Sequence, residues 1–252
     1  MLRTTLVPGL LQGALSNQTR EVESLKLFEV GKVFLRADEL ADERLHLGIL
    51  LAGWKGLTDW YEKEKPFDIY DLKGVVSALG KALNVEFLFK PYSQEPFLKK
   101  GQSFDLYLGE EKIGYLGRLK NLIVKDLGLK DPIFIAEIYL DKILGSLEKV
   151  QTFQVKKTPK FPSTFRDVSL VVKKSISFGS ILEFLKSSEI PYLKDIRLIA
   201  VYEGKPLADD ERSLTFRLWF RAEDRTLRVE EVDPLVSKLV EELVKVFEVK
   251  RR

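Results

Sequence analysis

The sequence predicts an α+β protein of two domains, each built on a largely antiparallel sheet. Most of its apolar runs are short and of strand length, and only a few recur at helical spacing. That pattern suits helices packed against a sheet better than regularly alternating β-α units. A seam at 150–162 (VQTFQVKKTPKFP), with a basic pair and two prolines, separates two stretches of ordinary domain size. The 252 residues, 45% of them hydrophobic and 31% charged, are enough to fold two such domains around proper cores. The expected division is residues 1–150, a linker at 151–157, and residues 158–252.

In the first stretch Pro8 suits the opening turn of a helix, where a missing N–H costs nothing. Residues 25–35 and 45–54 read as strands. In 69–83, Ile69, Leu72, Val75, Val76, Leu79 and Leu83 fall at helical spacing. Residues 86–92, 104–108, 112–119 and 133–140 read as further strands. Gly109, followed by Glu110-Glu111, marks a hairpin turn between two of them. Gly114 and Gly117 lie inside a strand-like run and read as close sheet packing rather than a phosphate loop.

The second stretch reads β-α-β-β-α. Val168, Leu170 and Val172 alternate with Asp167, Ser169 and Val171 as on a half-buried strand. A short amphipathic helix spans 178–186, and strands span 193–202 and 212–221. Val232, Leu235, Val236, Leu239, Val240, Leu243, Val244 and Phe247 then repeat at helical spacing, with Pro234 expected near the helix start and Asp233 as its cap. A last short strand at 248–250 would complete a split βαβ, ferredoxin-like sheet with helices on one face and the other face open.

Composition excludes several chemistries. Without cysteine there is no disulfide, thiolate nucleophile or cysteine zinc site, and a single histidine excludes multi-histidine metal centres. That histidine, His46, stands in a strand-like run without a local partner and reads as structural rather than as a general base. The run Asp209-Asp210-Glu211 reads as a solvated turn between strands. The richest apolar stretch, 47–54, falls far short of the ~20 residues of a membrane-spanning helix. Pro8, Gly9, Gln12 and Gly13 interrupt the N-terminal apolar region, so a signal peptide is not expected, and a cytoplasmic location is. Charge divides evenly, 23 basic against 22 acidic residues in 1–157 and 18 against 16 in 158–252. Any nucleic acid must therefore meet a local patch. Lys156-Lys157 and Lys250-Arg251-Arg252 could touch phosphates or simply keep a linker and a tail solvated; the sequence leaves both readings open.

The best functional signal is the strand at 212–221. Leu214, Phe216, Leu218 and Phe220 fall on its core side, and Ser213, Thr215, Arg217, Trp219 and Arg221 on the other. With Ile199 and Val201 in the core, Tyr202 joins that open face. Hydroxyls, guanidiniums and aromatic rings in one row are what single-stranded RNA recognition uses. On pattern alone an ordinary solvated face with one incidental tryptophan remains the better account.

Several segments change that balance. PKFPSTFRDVSLVV (159–172), VYEGKPL (201–207) and RSLTFRLWFRAEDRTL (212–227) with Glu230-Glu231-Val232 resemble the ferredoxin-like anticodon-binding domain that ends the phenylalanyl-tRNA synthetase β subunit. LRTTLVPGLL (2–11), LFEVGKVF (27–34), DLKG (71–74) and GEEKIGYLGRL (109–119) resemble the same subunit's class II synthetase-like module. The resemblance runs in matching order over nearly the whole chain but covers only the C-terminal part of that subunit. With the lone methionine at position 1, this makes the chain read as a segment of something longer. The family's usual His-Pro-Gly and Gly-Glu-x-His-Pro are replaced here by Leu98-Lys99-Lys100-Gly101 and Gly117-Arg118-Leu119-Lys120-Asn121, and its usual acidic residue two positions before the tyrosine is Ala200.

The resemblance implies a non-catalytic class II-like module followed by an anticodon-binding domain. It implies no catalytic or metal-binding residue in this chain, and ATP and magnesium held by the α subunit. Its implied partners are that α subunit, in an (αβ)2 heterotetramer, and phenylalanine tRNA. Tyr202 matches the family's tyrosine that stacks on an anticodon base, and Ser213 its serine at the anticodon edge. Arg217, Trp219 and Arg221 join them as candidates from the shared strand face alone. Arg166-Asp167 matches a family motif but reads as a structural ion pair or cap. A free-standing RNA-binding protein and a purely structural assembly module are the alternatives.

Overall fold

In a computed structural model of the chain, residues 2–36, 42–56, 64–91, 93–130, 132–147 and 159–251 are described. The expected linker at 151–157, including Lys156-Lys157, and the terminal Arg252 lie outside them. The chain divides into two compact units, Met1–Gln154 and Val155–Arg252.

Unit 1 runs α1 (Val7–Gln18), β1 (Leu25–Leu35), β2 (Asp42–Ala52), α2 (Ile69–Ala82), β3 (Phe87–Pro91), β4 (Leu98–Leu108), β5 (Glu111–Leu119), α3 (Asn121–Asp126), β6 (Ile133–Tyr139) and α4 (Leu140–Leu147). The strands form one antiparallel sheet in the order β1-β2-β6-β5-β4-β3. Pro8 sits in the first turn of α1, which buries Val7, Leu10, Leu11 and Ala14. In α2 the Asp68 carboxylate accepts from the Tyr70 and Asp71 N–H groups while Asp71 accepts from the Asp68 N–H, a reciprocal cap. The β4–β5 turn depends on Gly109, whose φ of +61° favours glycine. At Gly114 an added Cβ would stand 2.3 Å from the Glu137 carbonyl oxygen, so β5 and β6 require glycine there.

Both faces of this sheet carry an apolar core. Leu25, Leu50, Leu119, Ile133 and Ile135 pack with α1 on one side, and Leu106, Ile113, Leu116, Phe134 and Ile138 pack with Leu72 and Val76 of α2 on the other. On the α1 side stands one buried carboxylate, Glu137, 1% exposed. It accepts hydrogen bonds from the Thr5 hydroxyl, the Leu6 N–H (3.0 Å), His46 Nδ1 (2.8 Å) and the Tyr115 hydroxyl. His46 thus has a structural partner 91 positions away.

Unit 2 runs β7 (Thr164–Lys173), α5 (Phe178–Ser187), β8 (Leu193–Tyr202), β9 (Glu211–Phe220), α6 (Val229–Phe247) and β10 (Lys250–Arg251). Its antiparallel sheet has the order β10-β7-β9-β8, the ferredoxin-like arrangement. Val168, Leu170, Val172, Leu214, Phe216, Leu218 and Phe220 are buried with Ile181 and Leu185 of α5 and with Val232, Leu239, Val240 and Leu243 of α6.

Two expectations are corrected. Helix α6 starts at Val229, so Pro234 lies inside it and Asp233 is not its cap. The Glu231 carboxylate instead accepts from the Arg228 N–H at the helix start, and Asp233 pairs with Arg166 Nε at 2.7 Å. Ile199 and Val201 are each 49% exposed rather than in the core. Strand β8 is the sheet edge, a register shift falls between Leu198 and Ala200, and only Leu193 and Ile196 of this strand pack on the core. The outer half of β8 runs past the helical layer.

Replacing Glu137 by leucine strands four donors, three of them on buried residues, and unit 1 is expected to lose about 3–5 kcal/mol in urea unfolding. Burial pushes the Glu137 carboxyl up, but the hydrogen bonds from His46, Thr5, Tyr115 and the Leu6 N–H outweigh it and hold the pKa below the ordinary 4.5. The stability such a group supplies is present above its unfolded pKa and lost as pH falls through the folded one. Wild-type unit 1 should therefore lose stability below about pH 4.5, and Glu137→Leu should flatten that acid limb.

Candidate nucleic-acid interface

The alternation of β9 that buries Leu214, Phe216, Leu218 and Phe220 turns Ser213, Thr215, Arg217 and Trp219 to the face without helices. Strand pairing arranges that face in four rows: Val171–Ser213–Tyr202, Ser169–Thr215–Ala200, Asp167–Arg217–Arg197, and Phe165–Trp219–Asp195. Each two-residue step advances ~7 Å, so the first and last rows stand ~20 Å apart.

Tyr202 occupies the first row at the sheet edge, 43% exposed. Its hydroxyl donates to the Lys205 carbonyl at 2.6 Å, which tethers the ring from its polar end. Ser213 shares the row but is 1% exposed, and its Oγ has no hydrogen-bond partner among the described residues. A base edge cannot reach that hydroxyl in this arrangement.

The other end of the face is aromatic and cationic. Arg217 binds Asp167 with two parallel hydrogen bonds, Nε to Oδ1 at 2.7 Å and Nη2 to Oδ2 at 2.8 Å. That bond holds the Asp167 carboxyl below its ordinary range and raises Arg217. The same guanidinium lies 4.0 Å from the Phe165 ring centroid and 5.8 Å from that of Trp219, while Arg197 stands 5.1 Å from Trp219. Trp219 is thus half-buried between two guanidiniums. Arg221 lies beyond β9, and its N–H donates to the Tyr192 carbonyl at 2.9 Å rather than extending the ladder.

Of the five candidates, Tyr202, Ser213, Arg217 and Trp219 fall on one face, Ser213 covered and Arg217 held by Asp167; Arg221 is not brought into the rows. Arg166 and Asp167 each form an ion pair, with Asp233 and Arg217 respectively. The sequence reasoning missed Phe165, 47% exposed, and Arg197. The period-two reading of β7 already put Asp167, Ser169 and Val171 on the open face, and extending it by one step reaches Phe165.

Comparisons with known proteins match both units. The family model of the phenylalanyl tRNA synthetase beta chain CLM domain matches residues 1–140, and that of the ferredoxin-fold anticodon binding domain matches residues 159–252. Similar relatives include the phenylalanine–tRNA ligase beta subunits of Carboxydothermus hydrogenoformans (33% identical over 96% of this chain and 30% of its own length) and Latilactobacillus sakei (33%, over 100% and 31%). That of Geobacillus kaustophilus is 31% identical over 98% of this chain and 31% of its own length. The chain spans about 30% of the length of these curated relatives.

Because Ser213 Oγ is buried without a partner, Ser213→Ala is expected to stabilise unit 2 by about 1 kcal/mol. A shift of its urea midpoint to lower concentration would show that the hydroxyl is engaged.

Proposed function

The chain belongs to the phenylalanyl-tRNA synthetase β-chain family, and from that premise we propose that unit 2 binds the anticodon of phenylalanine tRNA while unit 1 supports the catalytic α subunit. The observation that carries the RNA reading is the exposed Tyr202 ring, tethered through its hydroxyl beside an open sheet face. A ring already ordered before binding offers a π-face to an unstacked base with little further loss of freedom. Trp219 and Phe165, three rows away, supply a second apolar platform for an extended strand. Arg217, engaged by Asp167 and Phe165, acts as a member of that platform before it acts as a phosphate clamp. Ser213 reads a base edge in this account only after its cover moves. Arg221 contributes from beyond the strand.

The support for the α-subunit role is β1. It is the edge strand of its sheet and leaves Phe28 (75%) and Val30 (52%) exposed. Exposed apolar edges of this kind are normally covered. In the assembly we propose, an (αβ)2 heterotetramer in the cytoplasm, ATP and magnesium are bound by the α subunit and this chain contributes no catalytic group. The one cleft of unit 1 described below suits a triphosphate poorly, because its carboxylates outnumber its cations and both cations on it are already paired.

Titration with an anticodon stem-loop of phenylalanine tRNA tests the first part. Tyr202→Ala is expected to weaken binding by ~1–3 kcal/mol while Tyr202→Phe retains most of it; equal affinity of wild type and Tyr202→Ala would sink the stacking role. For the second part, Phe28→Asp is expected to reduce co-purification of a co-expressed α subunit without changing the unfolding midpoint. Undiminished recovery of α would move the interface away from β1.

A further inference from the structure

Unit 1 carries a cleft of about 640 Å3 with Phe97, Tyr115 and Tyr139 among its walls. The polar character of this cleft follows from Glu137. An ionised Glu137 can only accept, so in the neutral imidazole His46 Nδ1 must be the protonated nitrogen of their 2.8 Å bond. That tautomer leaves Nε2 with a lone pair. His46 lines the cleft, is 6% exposed, and makes no hydrogen bond through Nε2 among the described residues.

Glu95 adds a carboxylate to the same cleft, with Lys112 3.8 Å away as its cation. Burial, and then the Asp105 and Glu137 carboxylates, push Glu95 above its ordinary range despite that lysine. The two cations that do line the cleft are occupied: Arg44 by Asp42 at 2.8 Å and Lys142 by Glu111 at 3.0 Å. Acceptors are therefore in excess, and like charges face one another. No group of three or more His, Asp or Glu side chains among the described residues is placed to hold a metal ion. Aromatic walls also suit an organic cation, whose charge is attracted to a ring face.

We propose that this cleft binds a small organic cation, an ammonium or guanidinium on an apolar stem. Its N–H groups donate to His46 Nε2 and Glu95, and its stem lies against Phe97, Tyr115 and Tyr139. Such a cation comes either as a free amine or as the lysine or arginine side chain of a polypeptide, and the chemistry of recognition is the same for both.

Isothermal titration of the 252-residue chain near neutral pH with benzylamine, benzyl alcohol and Nα-acetyl-arginine amide tests this. At least one cation is expected to bind saturably and the alcohol not at all. Glu95→Gln is expected to lose about tenfold or more in affinity while keeping the parent's unfolding midpoint. Tighter binding of benzylamine assigns the site to a free amine, and tighter binding of the arginine amide assigns it to a polypeptide side chain. The proposal is overturned if neither cation binds at ~10 mM, if the alcohol binds as well as the amine, or if Glu95→Gln binds as tightly as the parent.

Discussion

A carboxylate taken out of water without partners loses several kcal/mol of hydration, and Glu137 avoids that loss only because donors from three separate segments converge on it. Thr5 and the Leu6 N–H come from the stretch that launches α1, His46 from β2 and Tyr115 from β5, while Glu137 itself stands on β6. These contacts fix where α1 begins relative to the sheet, and they fix register. In β6 successive residues face opposite cores, with Ile135 on the α1 side and Phe134, Ala136 and Ile138 on the α2 side. A one-residue slip would drive the carboxylate among Leu72, Val76, Ile113 and Leu116, where there is no donor to meet it. A sheet apolar on both faces is otherwise weakly specified in register, so one buried charge adds specificity that more leucine could not.

Unit 2 is organised by the opposite economy. It covers one sheet face with α5 and α6 and leaves the other to solvent, so its charges remain exposed and its core wholly apolar. On the open face the guanidinium of Arg217 is both neutralised by Asp167 and flanked by rings. An arginine held this way contributes a planar, weakly hydrated surface more than a mobile positive charge. The near-even balance of 18 basic to 16 acidic residues in 158–252 is therefore compatible with RNA recognition that rests on stacking.

Legibility in the sequence followed the range of the interactions involved. β1 occupies the strand-like run read at 25–35, and the Gly109 turn falls where its backbone demand placed it, because both are local. The start of α6 was misread since Pro234 looks like a first-turn residue. Within a helix it removes one N–H bond, which three turns of buried apolar contacts outweigh. Ile199 and Val201 were misread because alternation tells which way a side chain points and not whether anything lies there. The link between His46 and Glu137 was invisible because it spans 91 positions. For the same reason Ser213 gave no sign of being covered.

The open face of unit 2 and the cleft of unit 1 differ in what they have left to offer, and the difference comes from how each unit satisfies its own polar groups. Unit 2 buries an apolar core under α5 and α6, and its open face, where Asp167 holds Arg217, offers mainly ring faces. Unit 1 buries one anion and spends its neighbouring donors on it. The consequence reaches the surface through His46: with Nδ1 turned on Glu137, the neutral ring presents an acceptor to the cleft. A carboxylate that helps set the register of β6 thereby also shapes the hydrogen-bonding character of the adjacent cleft. The two properties are linked, since Glu137→Leu would free the His46 tautomer and also orphan Thr5, Tyr115 and the Leu6 N–H.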